Sequence, residues 1–449
     1  MRLKWKKLLC EDRCQSIARS SAGKKRGKGK TLERRYRSDF ESDYDRVVYS
    51  KPFRRLARKT QVHPFEPNAH VHNRLTHSIE VASVGRTFAR RLFELLRDKG
   101  ELPKGTTSED LAYVLMTASM VHDIGNPPFG HAGEYAVREW AERHQDIVFP
   151  AELHVDSGTK ADVLIFEGNA QGFRLAVRSD IPHAGYMRLT HCSLGAMVKY
   201  PWFSTDERAK SSGKFNFFKS EVNHAKKVFK KMGLYDGSEY YRHPMSFLSE
   251  AADDICYRII DIEDAVELGI FGDARARKLF CSLLGSRYKK KKHNAMPLTQ
   301  LRGEVIHRLI EEFWKVFENN YESIMRGERA DDLKTSLSKR LRKSLGSVKY
   351  AYEEIFADEK KILIEIGAYK SIGRILSALF NAVKSYSEKK DLKKIPFVAK
   401  RCLELAWTTE FLKANSDKDY TWWIHHVLDF VSGLTDDRAF KISNAIEGG

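Results

Sequence analysis

A chain of 449 residues with 78 Lys and Arg against 60 Asp and Glu has a formal charge of +18. It is long enough to bury a sizeable core, and no apolar segment approaches the roughly 18 residues that a membrane span needs. Its six cysteines are scattered and its N-terminus lacks the apolar run and cleavage site of a signal peptide, which excludes a disulfide scaffold and favours a reducing, cytoplasmic setting.

The charge is concentrated. Residues 1–37 hold fourteen Lys or Arg against three acids, a local charge of +11, and Arg287 with Lys289, Lys290, Lys291 and Lys292 adds five more. The remaining body is near neutrality. The stretch Gly23-Lys24-Lys25-Arg26-Gly27-Lys28-Gly29-Lys30 reads as a solvated flexible arm or as a holder of nucleic-acid phosphates through counterion release. Cys10 and Cys14 alone are two ligands short of a zinc site and read as free thiols.

The first informative helix covers 74–97, where Val81, Val84, Phe88, Leu92 and Leu95 recur at helical spacing and His77 shares their face. A second begins near Glu109 and sets Leu111, Leu115, Ala118 and His122 on one stripe. Gly125 and two prolines stop it. His77 and His122 therefore both point inward. Residues 146–246 are less regular, with β-rich or alternating pieces at 154–165 and 173–177 and an aromatic run Phe215-Asn216-Phe217-Phe218.

A helix over 245–268 buries Leu248, Ile255, Ile259, Ile262 and Val266 on one stripe and carries Asp253, Tyr257 and Asp261 on another. Further helices are predicted at 301–317, 333–345, 350–356, 362–383, 397–415 and 420–440. The pattern is an all-α protein with minor irregular or β inserts. Its expected parts are a basic arm at 1–37, a helical core at 38–280 and a C-terminal helical region at 281–449 packed on that core.

The inward polar residues His77, His122, Asp123 and one of Asp253 or Asp254 come from three separate helical segments. Imidazole and carboxylate together suit a divalent cation, with positions left for water and phosphate oxygens. Past His122-Asp123-Ile124-Gly125-Asn126-Pro127-Pro128-Phe129-Gly130 comes a second pair, His131 and Glu134, in i, i+3 spacing on a new helix.

These residues resemble the metal site of the HD-domain phosphohydrolase superfamily. Blocks at 38–48, 58–62, 73–78, 121–134, 166–171 and 250–257 are similar, in order, to the bacterial dGTP triphosphohydrolase family. The segments Asn73-Arg74-Leu75-Thr76-His77-Ser78, Phe166-Glu167-Gly168-Asn169 and Asp253-Asp254-Ile255-Cys256-Tyr257 carry much of the likeness. The tail beyond residue 300 shows no comparable motif.

The resemblance implies hydrolysis of a deoxynucleoside triphosphate, dGTP foremost, at the α-phosphorus, giving a deoxynucleoside and triphosphate. It implies His77, His122, Asp123 and Asp253 as ligands of Mn²⁺ or Mg²⁺, with Fe²⁺ also suited. Asp253 is taken over Asp254 because Tyr257 and Asp261 follow it at intervals of four. His131 would be the proton carrier, with Glu134 behind it. The resemblance places Arg74 on the phosphates, Gln61, Val62 and Asp261 around the sugar, and Tyr257 against C2′. Lys214 and Asn169 are further candidate contacts to the phosphates and the pocket. It also implies a homo-oligomer, a hexamer or tetramer, and control by single-stranded DNA or a dNTP effector. Two other readings stay open at this stage: another HD-type phosphohydrolase or nuclease, and a nucleotide- or nucleic-acid-sensing regulator without turnover.

Overall fold

The structure is a computed structural model that describes residues 2–13, 36–61, 68, 70–182, 187–356 and 359–448. Val62, Cys14 and the Lys/Arg-rich stretch at 14–35 lie outside the described residues. The first dozen residues, expected as part of the basic arm, are packed into the fold. Helix α1 (Trp5–Leu8) buries both its ends, and Trp5 Nε1 donates to the Tyr321 hydroxyl at 2.7 Å. Arg13 pairs with Asp39 at 2.9 Å and with the buried Asp43. Any arm thus starts after Arg13.

The all-α expectation holds. Helix α2 (Arg74–Asp98) begins in a capping box: Asn73 Oδ1 accepts from the Leu75 and Thr76 amides, and Thr76 Oγ1 accepts from the Asn73 amide. Thr107 and Asp110 form the same device at the start of α3 (Ser108–Val121). The two helices pack closely because Gly85 has no side chain, and a Cβ there would lie 2.8 Å from Ser119 Oγ. His77 is carried by α2 and is buried; His122 is the residue that ends α3.

After α3 the chain turns through Gly125, Pro127 and Pro128 into α4 (His131–Arg143). The turn lies directly on the start of α5 (Gly168–Val177): a Cβ on Gly125 would sit 2.2 Å from the Gly168 carbonyl oxygen, and one on Gly133 would sit 2.0 Å from that of Pro128. Phe129, a non-glycine, takes φ +65°. Helix α6 (Pro244–Glu267) then crosses the first pair and supplies Asp253.

Both β-rich pieces are helical. Residues 154–165 contain the helix Ser157–Leu164, capped by Asp156, and 173–177 lies inside α5, capped by Glu167. Isolated bridges are the only β pairing among the described residues. The expected helix at 333–345 is instead a 3₁₀ turn, Leu333–Ser336, followed by the helix Lys339–Phe356. The stretch 397–415 is two helices, Phe397–Ala406 and Thr409–Ala414.

Long helix α7 (Glu359–Lys389), α8 (Tyr420–Ser432) and α9 (Asp436–Glu447) complete the C-terminal region. They form one apolar core with Phe129, Val137, Trp140, Phe166, Phe215 and Phe218. A larger core gathers α2, α3, α6 and the helices up to Val348. The turn between α3 and α4 lies where the two meet. No helix is long and apolar enough to cross a membrane among the described residues.

Candidate active site

His77, His122 and Asp123 offer ligand atoms that all lie within 4.8 Å of one another. Asp253, from α6, completes the group: its Oδ1 is 3.2 Å from His77 Nε2 and 3.5 Å from His122 Nε2. The imidazoles meet edge to face, 5.3 Å between ring centres. His122 Nδ1 donates to the Ser119 carbonyl at 2.5 Å, which fixes the tautomer and turns Nε2 toward the carboxylates. Two imidazole nitrogens and two carboxylate oxygens, buried and convergent, fit a divalent first-row or alkaline-earth cation. Asp254 also borders the cavity, but its Oδ1 is held by Arg258 at 3.0 Å and Lys334 at 2.8 Å rather than by the histidines.

The carboxylates are set by their neighbours. Arg74 donates to Asp123 Oδ2 at 2.5 Å, and Asn126 Nδ2 to Oδ1 at 2.6 Å. Burial alone would raise the Asp123 pKa; Arg74 and the two histidines outweigh it and hold the group well below the ordinary range. Burial likewise opposes ionisation of Asp253, and Lys199, 2.8 Å from Oδ2, leads the charges that reverse this. Both aspartates are thus anions ready to bind a cation.

Across the same cavity, His131 and Glu134 form a dyad. His131 Nδ1 meets Glu134 Oε2 at 2.9 Å, and Glu134 Oε1 accepts from the Gly168 amide at 2.7 Å. Glu134 is buried while the His131 side chain is 68% exposed, so the carboxylate is a fixed support and the imidazole the group open to a ligand. Burial pushes the Glu134 pKa up, but the His131 bond and the charge of Lys214 bring it below the usual carboxylate range.

The cavity, about 270 Å³, is lined by the four candidate metal ligands, the dyad, Gln61, Arg74, Asn169, Lys214 and Tyr257. Gln61 Oε1 is buried with no hydrogen-bond partner among the described residues. Lys214 pairs with the buried Glu167 at 2.8 Å, and Asn169 Nδ2 also donates to Glu167. Asp261 is buried one turn beyond Tyr257 and is not part of the described lining.

Several lining residues had no signal in the sequence: Lys199, Tyr200, and, from α7, Lys361, Ile364 and Glu365; Thr60, also in the lining, lies in the block 58–62 that carries part of the resemblance. Lys361 is buried, which pulls its pKa down to about 8. Arg74, Lys199, Lys214 and Lys361 all border the cavity. The lining also carries Asp123, Glu134, Glu167, Asp253, Asp254 and Glu365, so a highly charged anion complements it once a divalent cation offsets the carboxylates of Asp123 and Asp253.

Two contacts tie this site to the C-terminal helices. Lys59 is buried, and its Nζ donates to the Asn126 carbonyl at 2.6 Å and the Ser432 carbonyl at 2.5 Å. Asp436, at the start of α9, accepts from the Thr60 amide at 2.9 Å, the Thr60 hydroxyl at 2.6 Å and the Phe129 amide at 2.9 Å. The left-handed Phe129 backbone is held by the last of these bonds and by its ring against Phe440, 5.0 Å between centres.

Residues 74–162, which hold three of the four candidate ligands and the dyad, match the family model described as HD domain. Fold, metal-competent cluster and match together define a phosphohydrolase of the HD class. Over 92% of its length the chain is 35% identical to a Pseudomonas aeruginosa (strain LESB58) protein named deoxyguanosinetriphosphate triphosphohydrolase-like, covering 94% of that protein. A Synechocystis protein of the same name is 32% identical over 97% of this chain and 98% of its own. The Salmonella enteritidis deoxyguanosinetriphosphate triphosphohydrolase is 28% identical over 88% and 91%. The chain belongs to the dGTP triphosphohydrolase family of the HD superfamily.

Proposed function

We propose that the protein hydrolyses deoxynucleoside triphosphates, dGTP foremost, at the α-phosphorus, releasing a deoxynucleoside and inorganic triphosphate. The carrying observation is that one cavity holds a His/Asp cluster fit for a divalent metal, a His–Glu dyad and four basic side chains. His77, His122, Asp123 and Asp253 would hold Mn²⁺, Mg²⁺ or Fe²⁺. When bound, the ion supplies Lewis-acid neutralisation of charge on the phosphate.

The chain's own residues do the rest. Arg74, Lys199 and Lys214 offset the negative charge of the triphosphate and fix its orientation. As the bond from phosphorus to the sugar 5′-oxygen breaks, that oxygen must gain a proton while water adds to phosphorus. His131 moves a proton at that position. Its Nδ1 is taken by Glu134, which leaves Nε2 for the reacting atoms and stabilises the imidazolium. Gln61 meets the sugar, its unpartnered Oε1 suiting a 3′-hydroxyl donor, and the resemblance makes Val62 and Asp261 further candidates for that contact. Tyr257 packs where a 2′-hydroxyl would project, rejecting ribonucleotides by clash. Asn169 helps to shape the pocket. We further propose a cytoplasmic homo-oligomer, hexamer or tetramer, responsive to single-stranded DNA or a dNTP.

The test is incubation with Mn²⁺ or Mg²⁺ and each dNTP, singly and mixed, with products separated by chromatography. Triphosphate plus deoxynucleoside is expected; pyrophosphate plus monophosphate, or no turnover in any mixture, refutes the reading. His131→Ala should cut kcat by roughly 10²- to 10⁴-fold with metal content unchanged, whereas His122→Ala should lose metal and activity together.

A further inference from the structure

A second metal-competent group lies outside the candidate active site. Cys10 and Asp12, just after α1, meet His191, the first residue of the helix His191–Ala196, and one ligand atom from each lies within 4.8 Å of the other two. None of the three lines the cavity around His122. The sequence offered Cys10 only Cys14 as a nearby partner; the fold brings an imidazole from 181 residues away.

The backbone sets this group in place by itself. The His191 amide donates to the Asp12 carbonyl at 2.8 Å, the Cys192 amide donates to the Cys10 carbonyl at 3.2 Å, and Arg13 pairs with Thr190 in an antiparallel bridge. The Arg13 side chain extends the join, donating to the Arg188 carbonyl at 2.7 Å and to Asp39 at 2.9 Å. Residues 10–13 and 188–192 are thus held in register, so an ion binding there orders little new chain.

The side chains have bonding capacity to spare. His191 is 1% exposed, its Nδ1 lies 3.9 Å from Cys10 Sγ, and its Nε2 has no hydrogen-bond partner among the described residues. A buried imidazole bonded so weakly costs free energy that a bound cation would recover. Burial pulls its pKa down to about 4, which keeps the ring neutral with a lone pair to give. Asp12 meets Lys231 through Oδ2 at 3.1 Å, leaving Oδ1 for a ligand, and both side chains are more than half exposed, so that ion pair yields at little cost. Burial pushes the Cys10 thiol up; a coordinated cation displaces its proton to solvent.

A thiolate selects differently from the cluster around His122. Two imidazoles and two carboxylates suit Mn²⁺ or Mg²⁺, whereas sulfur, imidazole and a single carboxylate suit Zn²⁺ in a tetrahedron. Thiolate and carboxylate together also balance the charge of the ion. We propose that Cys10, Asp12 and His191 bind Zn²⁺, with the fourth position left to water, as a clip that ties residues 10–13 to the helix His191–Ala196.

The test is titration of Co²⁺, a coloured stand-in for Zn²⁺, into the full chain freed of metal by a chelator. A cysteine ligand gives a near-ultraviolet sulfur-to-cobalt charge-transfer band, which the sulfur-free cluster around His122 does not. In His122→Ala the band should saturate at about one Co²⁺ per chain and vanish when Zn²⁺ is added. Cys10→Ser should abolish it with the circular dichroism spectrum unchanged. Asp12→Asn, a mild change at an exposed position, should keep the band and weaken Co²⁺ binding by more than about tenfold. Cys402→Ser, at a thiol outside the group, should match wild type. A band that forms only far above stoichiometric Co²⁺, the same band in Cys10→Ser, or unaltered affinity in Asp12→Asn overturns the proposal. Because the readout needs no substrate, absence of dNTP turnover would refute the reaction proposed above and leave this result standing.

Discussion

Asp253 and Asp254 are adjacent carboxylates with opposite surroundings, and the difference between them is measurable. Asp253 faces two imidazoles and Lys199; Asp254 is held by Arg258 and Lys334. Asp253→Asn should abolish binding of a stoichiometric divalent ion, read by metal analysis after dialysis. Asp254→Asn should keep the ion, with a stability loss of about 1–3 kcal/mol from its two stranded cations. Equal metal loss in both variants would count against this division of labour. His77 and His122 were legible in the sequence because a polar residue on an apolar helical stripe is conspicuous, whereas Asp253 was separated from Asp254 only through the resemblance. The cavity's lysines were not legible. Lysine is common on any surface, and only the packing of α7 against α4 and α9 brings Lys361 to the cavity. Gln61 entered through resemblance alone, and its buried, unpartnered oxygen is visible only in three dimensions.

Elements were read best where side-chain period and caps agree. Helices α2, α3 and α6 lie within a residue or two of their expected bounds because Asn73, Thr107 and Pro244 mark their starts and each buries one clear stripe. The segments at 154–165 and 173–177 misled, since a short β-branched run has no period long enough to tell strand from helix. Asp156 and Glu167 decide the matter by capping the amides that follow them. A C-terminal region packed on the core was expected, but nothing in the sequence marked Asp436 of α9 as the group that bonds the Phe129 amide in the metal turn. Removing the three bonds of Asp436 by Asp436→Ala should destabilise the protein by about 2–3 kcal/mol. It should also free the left-handed Phe129 backbone. Hydrogen exchange at the Phe129 amide should quicken and kcat should fall while metal content holds; unchanged exchange there would refute the idea that α9 braces the turn.

At the scale of the whole molecule, both cores share one pH liability. His243 at the start of α6 and His426 in α8 are buried, and burial pushes both pKa values down to about 4 from 6.5. A depressed value keeps the folded imidazole neutral. Above about pH 6.5 neither folded nor unfolded chain is protonated there and stability is fully present. As pH falls toward 4 the unfolded chain takes up protons first, and each group removes on the order of 3 kcal/mol. The urea midpoint should therefore drop steeply between pH 7 and 4, and less steeply in His426→Gln. A midpoint flat across that range would show that neither burial persists in solution.

The overall charge poses a different question, because residues 14–35 alone carry +7 of the +18. The first residues are not available to an arm: Leu3, Trp5 and Leu8 are buried and Arg13 is locked to Asp39 and Asp43. Truncating the chain before residue 30 would therefore damage the core and confound any loss of nucleic-acid response. The discriminating variant neutralises Lys24, Lys25, Arg26, Lys28 and Lys30 to Gln and leaves residues 1–13 intact. If these side chains neutralise phosphates, binding of single-stranded DNA should weaken with salt along a log–log slope, and the variant should flatten that slope by about 0.7 for each contact removed. Turnover without DNA should match wild type. A slope unchanged by the substitutions would assign the stretch to solubility alone and return any DNA response to the folded body.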